Sequence, residues 1–240
     1  MTITILSIDV GIHNLAVCVL KFSRSVPKPE IVYWTVQDIL EYEKGKKAPP
    51  LLELSKALMT TLNEMVDDDL TTGLSLAPEN VSNVIIEQQP KINSKMKNLA
   101  MCIFAYFVFR GFPKVEFVPP RNKAFCGLAA PRSARKTYAE RKKCAEESAR
   151  EWMGVFQTPN HFIHWFNVEL KKKDDAADAL LQAIAYAQNR YPKILSSFMY
   201  YGEVTKKKNA SQDQDSQSSQ GSQSSQSSKD TQSQETSGFT

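Results

Sequence analysis

The sequence predicts an α/β domain on a mixed sheet, followed by a tail of different composition. Three strand-like runs with short links open the chain, and helix and strand patterns then alternate to about residue 190. From Asn209 onward the Ser/Gln-rich sequence has almost no apolar residue to bury, so it cannot offset its ordering entropy and is expected to be disordered. The expected division is a domain at 1–208 and a tail at 209–240.

Ile3–Val10 is a buried-strand run, Asn14–Phe22 a second and Glu30–Val36 a third. Short links make an antiparallel meander the simplest pairing. Leu51, Leu54, Leu58, Leu62 and Met65 recur at helical spacing and predict a helix over Leu51–Val66. Asn80–Glu87 returns to strand, and Ser94–Arg110 is a helix apolar nearly all round, which should be buried on more than one side. One side can cover the sheet and the other a second subunit. Val115–Val118 is a short fifth strand closed by Pro119 and Pro120. Helices are expected over Arg135–Trp152 and Asp174–Asn189, with only a weak helical pattern around His161 and His164. Both histidines are assigned structural or surface roles.

Acidic residues stand at the ends of these elements. Asp9 precedes Gly11 at the exit of the first strand, where glycine permits a sharp turn and close approach of a ligand. Glu87 ends the apolar run Val84-Ile85-Ile86, and a charge so close to a buried strand is costly unless paired or coordinated. In KKKDDAADALLQAIAYA, Asp175 and Asp178 are three apart and Asp174 and Asp178 four apart. Either pair shares a helical face, so spacing leaves the choice open. Asp174 is the better N-cap candidate. Such carboxylates suit magnesium or manganese, and two ions about 3.5–4 Å apart promote phosphodiester cleavage.

Charge points to a polyanion. Between Lys91 and Lys143 lie thirteen Lys or Arg against Glu116 and Glu140, and residues 1–208 carry a formal +7 once the acidic tail is set aside. Candidate phosphate contacts are Lys136, Arg141, Lys142 and Lys143 at the start of the Arg135–Trp152 helix, Lys171, Lys172 and Lys173 before the acidic pair, and Arg121 and Lys123 in a Pro-rich loop. Cys18, Cys102, Cys126 and Cys144 form no CxxC pair, which disfavours a zinc site or disulfide framework and fits a reducing compartment. The longest apolar run, Leu99–Phe109, is short of a membrane span, and strand pattern from Thr2 leaves no room for a presequence. A soluble intracellular protein is expected.

Together SIDVGIHNLAV, VIIEQQP and DDAADALLQAIAY resemble, in order and spacing, the RuvC-type Holliday junction resolvases of the ribonuclease H-like superfamily. Gly-Ile-x-Asn-Leu-Ala after Asp9 and the Tyr138-Ala-Glu-Arg-Lys-Lys stretch resemble the branch of poxviruses, other large DNA viruses and fungal mitochondria. The resemblance spans roughly residues 3–190. It implies a ribonuclease H-like fold with a five-stranded mixed sheet, and a homodimer that cuts four-way DNA junctions in two opposed strands during recombination or repair. It also implies Mg2+, with Mn2+ as substitute, no small-molecule cofactor and no membrane partner. Its ligand set is Asp9, Glu87, Asp175 and Asp178, which selects Asp175 over Asp174. Nucleases acting on RNA–DNA hybrids or other branched DNA share the same acids. An actin-like or sugar-kinase fold is disfavoured because no second glycine-rich phosphate loop is present, and four retained acids argue against a non-catalytic DNA-binding protein.

Overall fold

In the computed structural model the described residues are 2–40, 49–67, 76–90, 92–120 and 137–193. The expected tail at 209–240 lies outside them, as do Cys126 and the candidates Arg121, Lys123 and Lys136. The described residues all belong to one compact unit, Met1–Met199.

Five strands form one mixed sheet: β1 (Thr2–Asp9), β2 (Leu15–Ser23), β3 (Glu30–Gln37), β4 (Asn83–Glu87) and β5 (Val115–Val118), in spatial order β3-β2-β1-β4-β5. The first three are the antiparallel meander expected from their short links, while β4 pairs parallel to β1 and β5 parallel to β4. The strand expected from Asn80 begins at Asn83 instead. Pro78, Glu79 and Asn80 favour a turn, closed by Asn80 N–H donating to the Ala77 carbonyl at 2.9 Å.

Strand alternation divides the core into two layers. Ile3 and Ile5 of β1, Ala16, Cys18 and Leu20 of β2 and Ile85 of β4 face one side; Leu6, Ile8, Val17, Val19, Val84 and Ile86 face the other. Helices α1 (Leu51–Asp67) and α2 (Ser94–Phe109) cover the second side. The first side is covered by α3 (Tyr138–Val155), α4 (Asn160–His164), a π-helical turn at Trp165–Glu169 and α5 (Lys173–Arg190).

Two helical expectations are corrected. The helix expected over Arg135–Trp152 runs over Tyr138–Val155, because Thr137 and Glu140 form a reciprocal capping box that starts it. It extends past Trp152 until the chain turns to β3, where Gln157 N–H donates to the Pro29 carbonyl at 2.7 Å. The region of His161 and His164 is ordered as α4 and the π turn, which seat Phe162 and Phe166 in the core while both histidines stay at the surface. Helix α2 packs on the sheet and on α1. Leu99, Ile103 and Phe107 face the sheet, but Met101, Val108 and Phe109 are exposed, Phe109 to 90%.

Candidate active site

Asp9 and Glu87 are the last residues of adjacent parallel strands. Ile8 is in register with Ile86, so the acids occupy the next positions on strands about 4.8 Å apart. Both follow residues of the α1/α2 face, so alternation turns them toward α5. The turn after Asp9 is tight. A Cβ at Gly11 would collide with the Asn14 carbonyl, whose carbon is 2.9 Å from it. The glycine expected to admit a ligand thus admits the chain's own backbone.

Helix α5 crosses that face and is held along its length. Buried Ala176, Ala177, Ala179, Ala183 and Ala185 keep it slim enough to lie close to the sheet. The Trp34 indole N–H donates to the Ala176 carbonyl at 3.0 Å, and Gln182 donates to Ser7 Oγ and the Ile8 carbonyl, each at 3.2 Å. At the C-terminal end Tyr186 joins Asn83, Lys114 and Glu116 in a hydrogen-bonded group. Trp34 is itself fixed by stacking on Phe166, ring centroids 4.9 Å apart, with Trp165 edge-on at 5.5 Å.

Asp175 and Asp178 lie in the half of α5 nearest the strand exits, both half-buried. Burial raises the Asp175 carboxyl to about 6, reinforced by the negative charges of Asp174 and Asp9 and opposed by Lys172 and Lys142. Asp9 and Asp175, 166 positions apart, therefore feel each other's charge. Asp175 also keeps a buried Oδ2 with no hydrogen-bond partner.

Asp174 has a different role from the expected N-cap. The cap position is Lys172, with no side-chain capping bond, and Asp174 in the first turn forms an ion pair with Lys142 of α3. That pair holds the Lys142 ammonium well above its ordinary range. Lys142 also lies 4.9 Å from the centroid of the exposed Tyr138 ring. Lys173 Nζ donates to the Asn167 carbonyl at 2.8 Å, so it too is engaged within the protein. Arg141, Lys143, Lys171 and Lys172 are exposed on the ends of α3 and α5 that meet at this pair.

Hard oxygen donors on two strand ends and one helix, with an unpartnered buried Asp175 oxygen, match the chemistry of a magnesium or manganese site. Among the described residues no group of three or more His, Cys, Asp or Glu is gathered tightly enough to hold a metal ion.

Residues 3–190 match the family model described as Poxvirus A22 protein. The chain belongs to that family. Among solved structures it is similar to the yeast mitochondrial Holliday junction resolvase Ydc2, with 18% identity, 85% of each chain covered and a TM-score of 0.52. It is also similar to the fowlpox virus resolvase solved with its Holliday junction substrate, with 15% identity, 79% of this chain and 99% of that one covered and a TM-score of 0.53. Comparison with curated protein sequences gave no match. At these identities the structural likeness establishes the fold, a ribonuclease H-like α/β domain with a five-stranded mixed sheet.

Gln182, Trp34 and the Lys142–Asp174 pair are site-building residues that the sequence did not disclose. A glutamine inside the apolar run after Asp178, four positions on, was a signal that could have found the first.

Proposed function

We propose that this protein is a Holliday junction resolvase, a divalent-metal-dependent endonuclease that nicks four-way DNA junctions in paired, opposed strands as a homodimer. The observation that carries this reading is the shared orientation of Asp9 and Glu87 toward the helix bearing Asp175 and Asp178, in a chain of the poxvirus A22 family.

Asp9, Glu87, Asp175 and Asp178 would hold one or two Mg2+ or Mn2+ ions. Bound there, such ions stabilise charge on the phosphodiester and lower the pKa of the attacking water. With its carboxyl near 6, Asp175 is mostly ionised at neutral pH and available as a ligand. Lys142 compensates Asp174, which limits the negative charge beside the acids. Arg141, Lys143, Lys171 and Lys172 bring positive charge to the same end of the domain, where a DNA backbone would otherwise be repelled by the carboxylates. The exposed Met101, Val108 and Phe109 of α2 provide the apolar surface for twofold pairing, which would present two sites to two strands.

The test is incubation of the full-length protein with a synthetic four-way junction, a matched linear duplex and an RNA–DNA hybrid, in Mg2+ or EDTA. Paired symmetric nicks on the junction alone, abolished by EDTA, are expected. Equal cleavage of junction and linear duplex contradicts junction specificity, and cleavage confined to the hybrid assigns the same acids to another nuclease.

A further inference from the structure

Gln182 is a buried amide in the middle of α5, 2% exposed, among apolar neighbours. Its Nε2 donates to Ser7 Oγ and to the Ile8 carbonyl, each at 3.2 Å. A carbonyl can only accept, so the Ile8 contact settles which end of the amide is the donor. The other end, Oε1, is buried without a hydrogen-bond partner. A half-satisfied buried amide is a poor source of stability, because the unpaired atom costs about what the bonds return. Its contribution is location. Both acceptors belong to the two β1 residues immediately before Asp9, and Gln182 is four residues after Asp178, on the same helical face. The amide therefore joins the two backbone segments that carry acids on opposite sides of the site.

We propose that Gln182 is a positioning residue that fixes α5 against the exit of β1 and thereby sets the spacing of Asp175 and Asp178 from Asp9 on which divalent-cation binding depends. The proposal rests on the metal-dependent reading above. Gln182 is a side chain through which α5 bonds directly to the segment that ends in Asp9. Trp34 holds the first turn of α5 to β3 and Tyr186 holds its last turns near the start of β4, while the two directed bonds of Gln182 fix it to β1 itself.

The experiment is titration of full-length protein with Mn2+ in the absence of DNA, following free Mn2+ by electron paramagnetic resonance, with a thermal melt of each variant. Gln182→Leu, which keeps the volume but removes the donors, should raise the Mn2+ Kd about tenfold. Ser7→Ala, which deletes one acceptor from the opposite side, should shift it the same way by a smaller factor, and carries the test if Gln182→Leu fails to fold. Tyr186→Phe, which removes a hydroxyl from the far end of the same helix, should leave the Kd unchanged whatever it does to Tm. Asp175→Asn should abolish binding. Wild-type Kd in Gln182→Leu and Ser7→Ala, with binding lost in Asp175→Asn, overturns the positioning role and leaves the metal site standing. Equal weakening in Tyr186→Phe and Gln182→Leu also overturns it, since any loosening of α5 would then suffice. Wild-type binding by Asp175→Asn overturns the metal-dependent reading and the proposal with it.

Discussion

The indole N–H of Trp34 donates to the carbonyl of Ala176 across 3.0 Å, tying the outermost strand of the meander to the helical turn that carries Asp175. The bond joins residues 142 positions apart, so β3, remote from the acids in sequence and at the sheet edge, helps place one of them.

Trp34→Phe should separate packing from this tether. Phenylalanine retains an aromatic face for Phe166 but loses the donor and part of the volume. A loss of about 1–3 kcal/mol in urea unfolding is expected. Junction cleavage should fall more than junction binding; unchanged stability and cleavage would show that the bond is dispensable.

The raised Asp175 carboxyl gives metal-free protein a definite pH dependence. Its folded value, about 6, lies above the ordinary 3.8, so its favourable contribution is complete below about 3.8 and is lost as pH rises through about 6. Asp175→Asn should remove that loss and, in EDTA at pH 7.5, be more stable than wild type by roughly 1 kcal/mol after allowance for the group's partial exposure. Saturating Mg2+ should close the difference by stabilising wild type alone. Thermal melts from pH 4 to 8 check this, and identical pH slopes for the two proteins would contradict it.

Lys142 and Lys143, adjacent in sequence, should behave differently. Lys143→Ala should weaken junction binding and reduce the salt slope of log K by about 1, as for a lost phosphate contact. Lys142→Met instead unmasks Asp174 beside Asp175, so the pH at which cleavage reaches half its maximum should move upward. Fluorescence-anisotropy titrations at several salt concentrations and a pH–rate profile read the two effects. Matching salt slopes for both variants would assign Lys142 to DNA after all.

On α2, Phe109→Lys introduces charge into the exposed Met101–Val108–Phe109 surface. Sedimentation should show a dimer for wild type and a monomer for the variant, with paired nicking reduced to uncoupled single nicks. A variant that remains dimeric would move the subunit contact elsewhere.

Strand and helix identities were legible because their apolar periods are strong: Leu54, Leu58 and Leu62 are all fully buried, and Ile5 and Leu6 face opposite core layers. The strand-end positions of Asp9 and Glu87 were legible for the same reason, since each ends an apolar run, while spacing alone left Asp174 and Asp175 undivided. Less visible was what lies between distant segments. Asp174 looked like a helix cap because capping is local, but the side chain answers to Lys142, 32 positions earlier. On α2 the apolar sequence did not show which residues the described chain covers and that Met101, Val108 and Phe109 stay exposed. The Thr137–Glu140 capping box was local and readable, and it would have placed the start of α3 correctly.

Single-turnover cleavage of a four-way junction in Mg2+ by wild type and by Asp9→Asn, Glu87→Gln, Asp175→Asn and Asp178→Asn, with junction affinity measured alongside, tests the central claim most directly. Each substitution removes one charge and little volume. The predicted result is a loss of about a hundredfold or more in cleavage rate for every variant, with binding retained. Cleavage near the wild-type rate in any of the four would remove that acid from the site, and near-wild-type cleavage in all would contradict the assignment of this cluster as the nuclease centre.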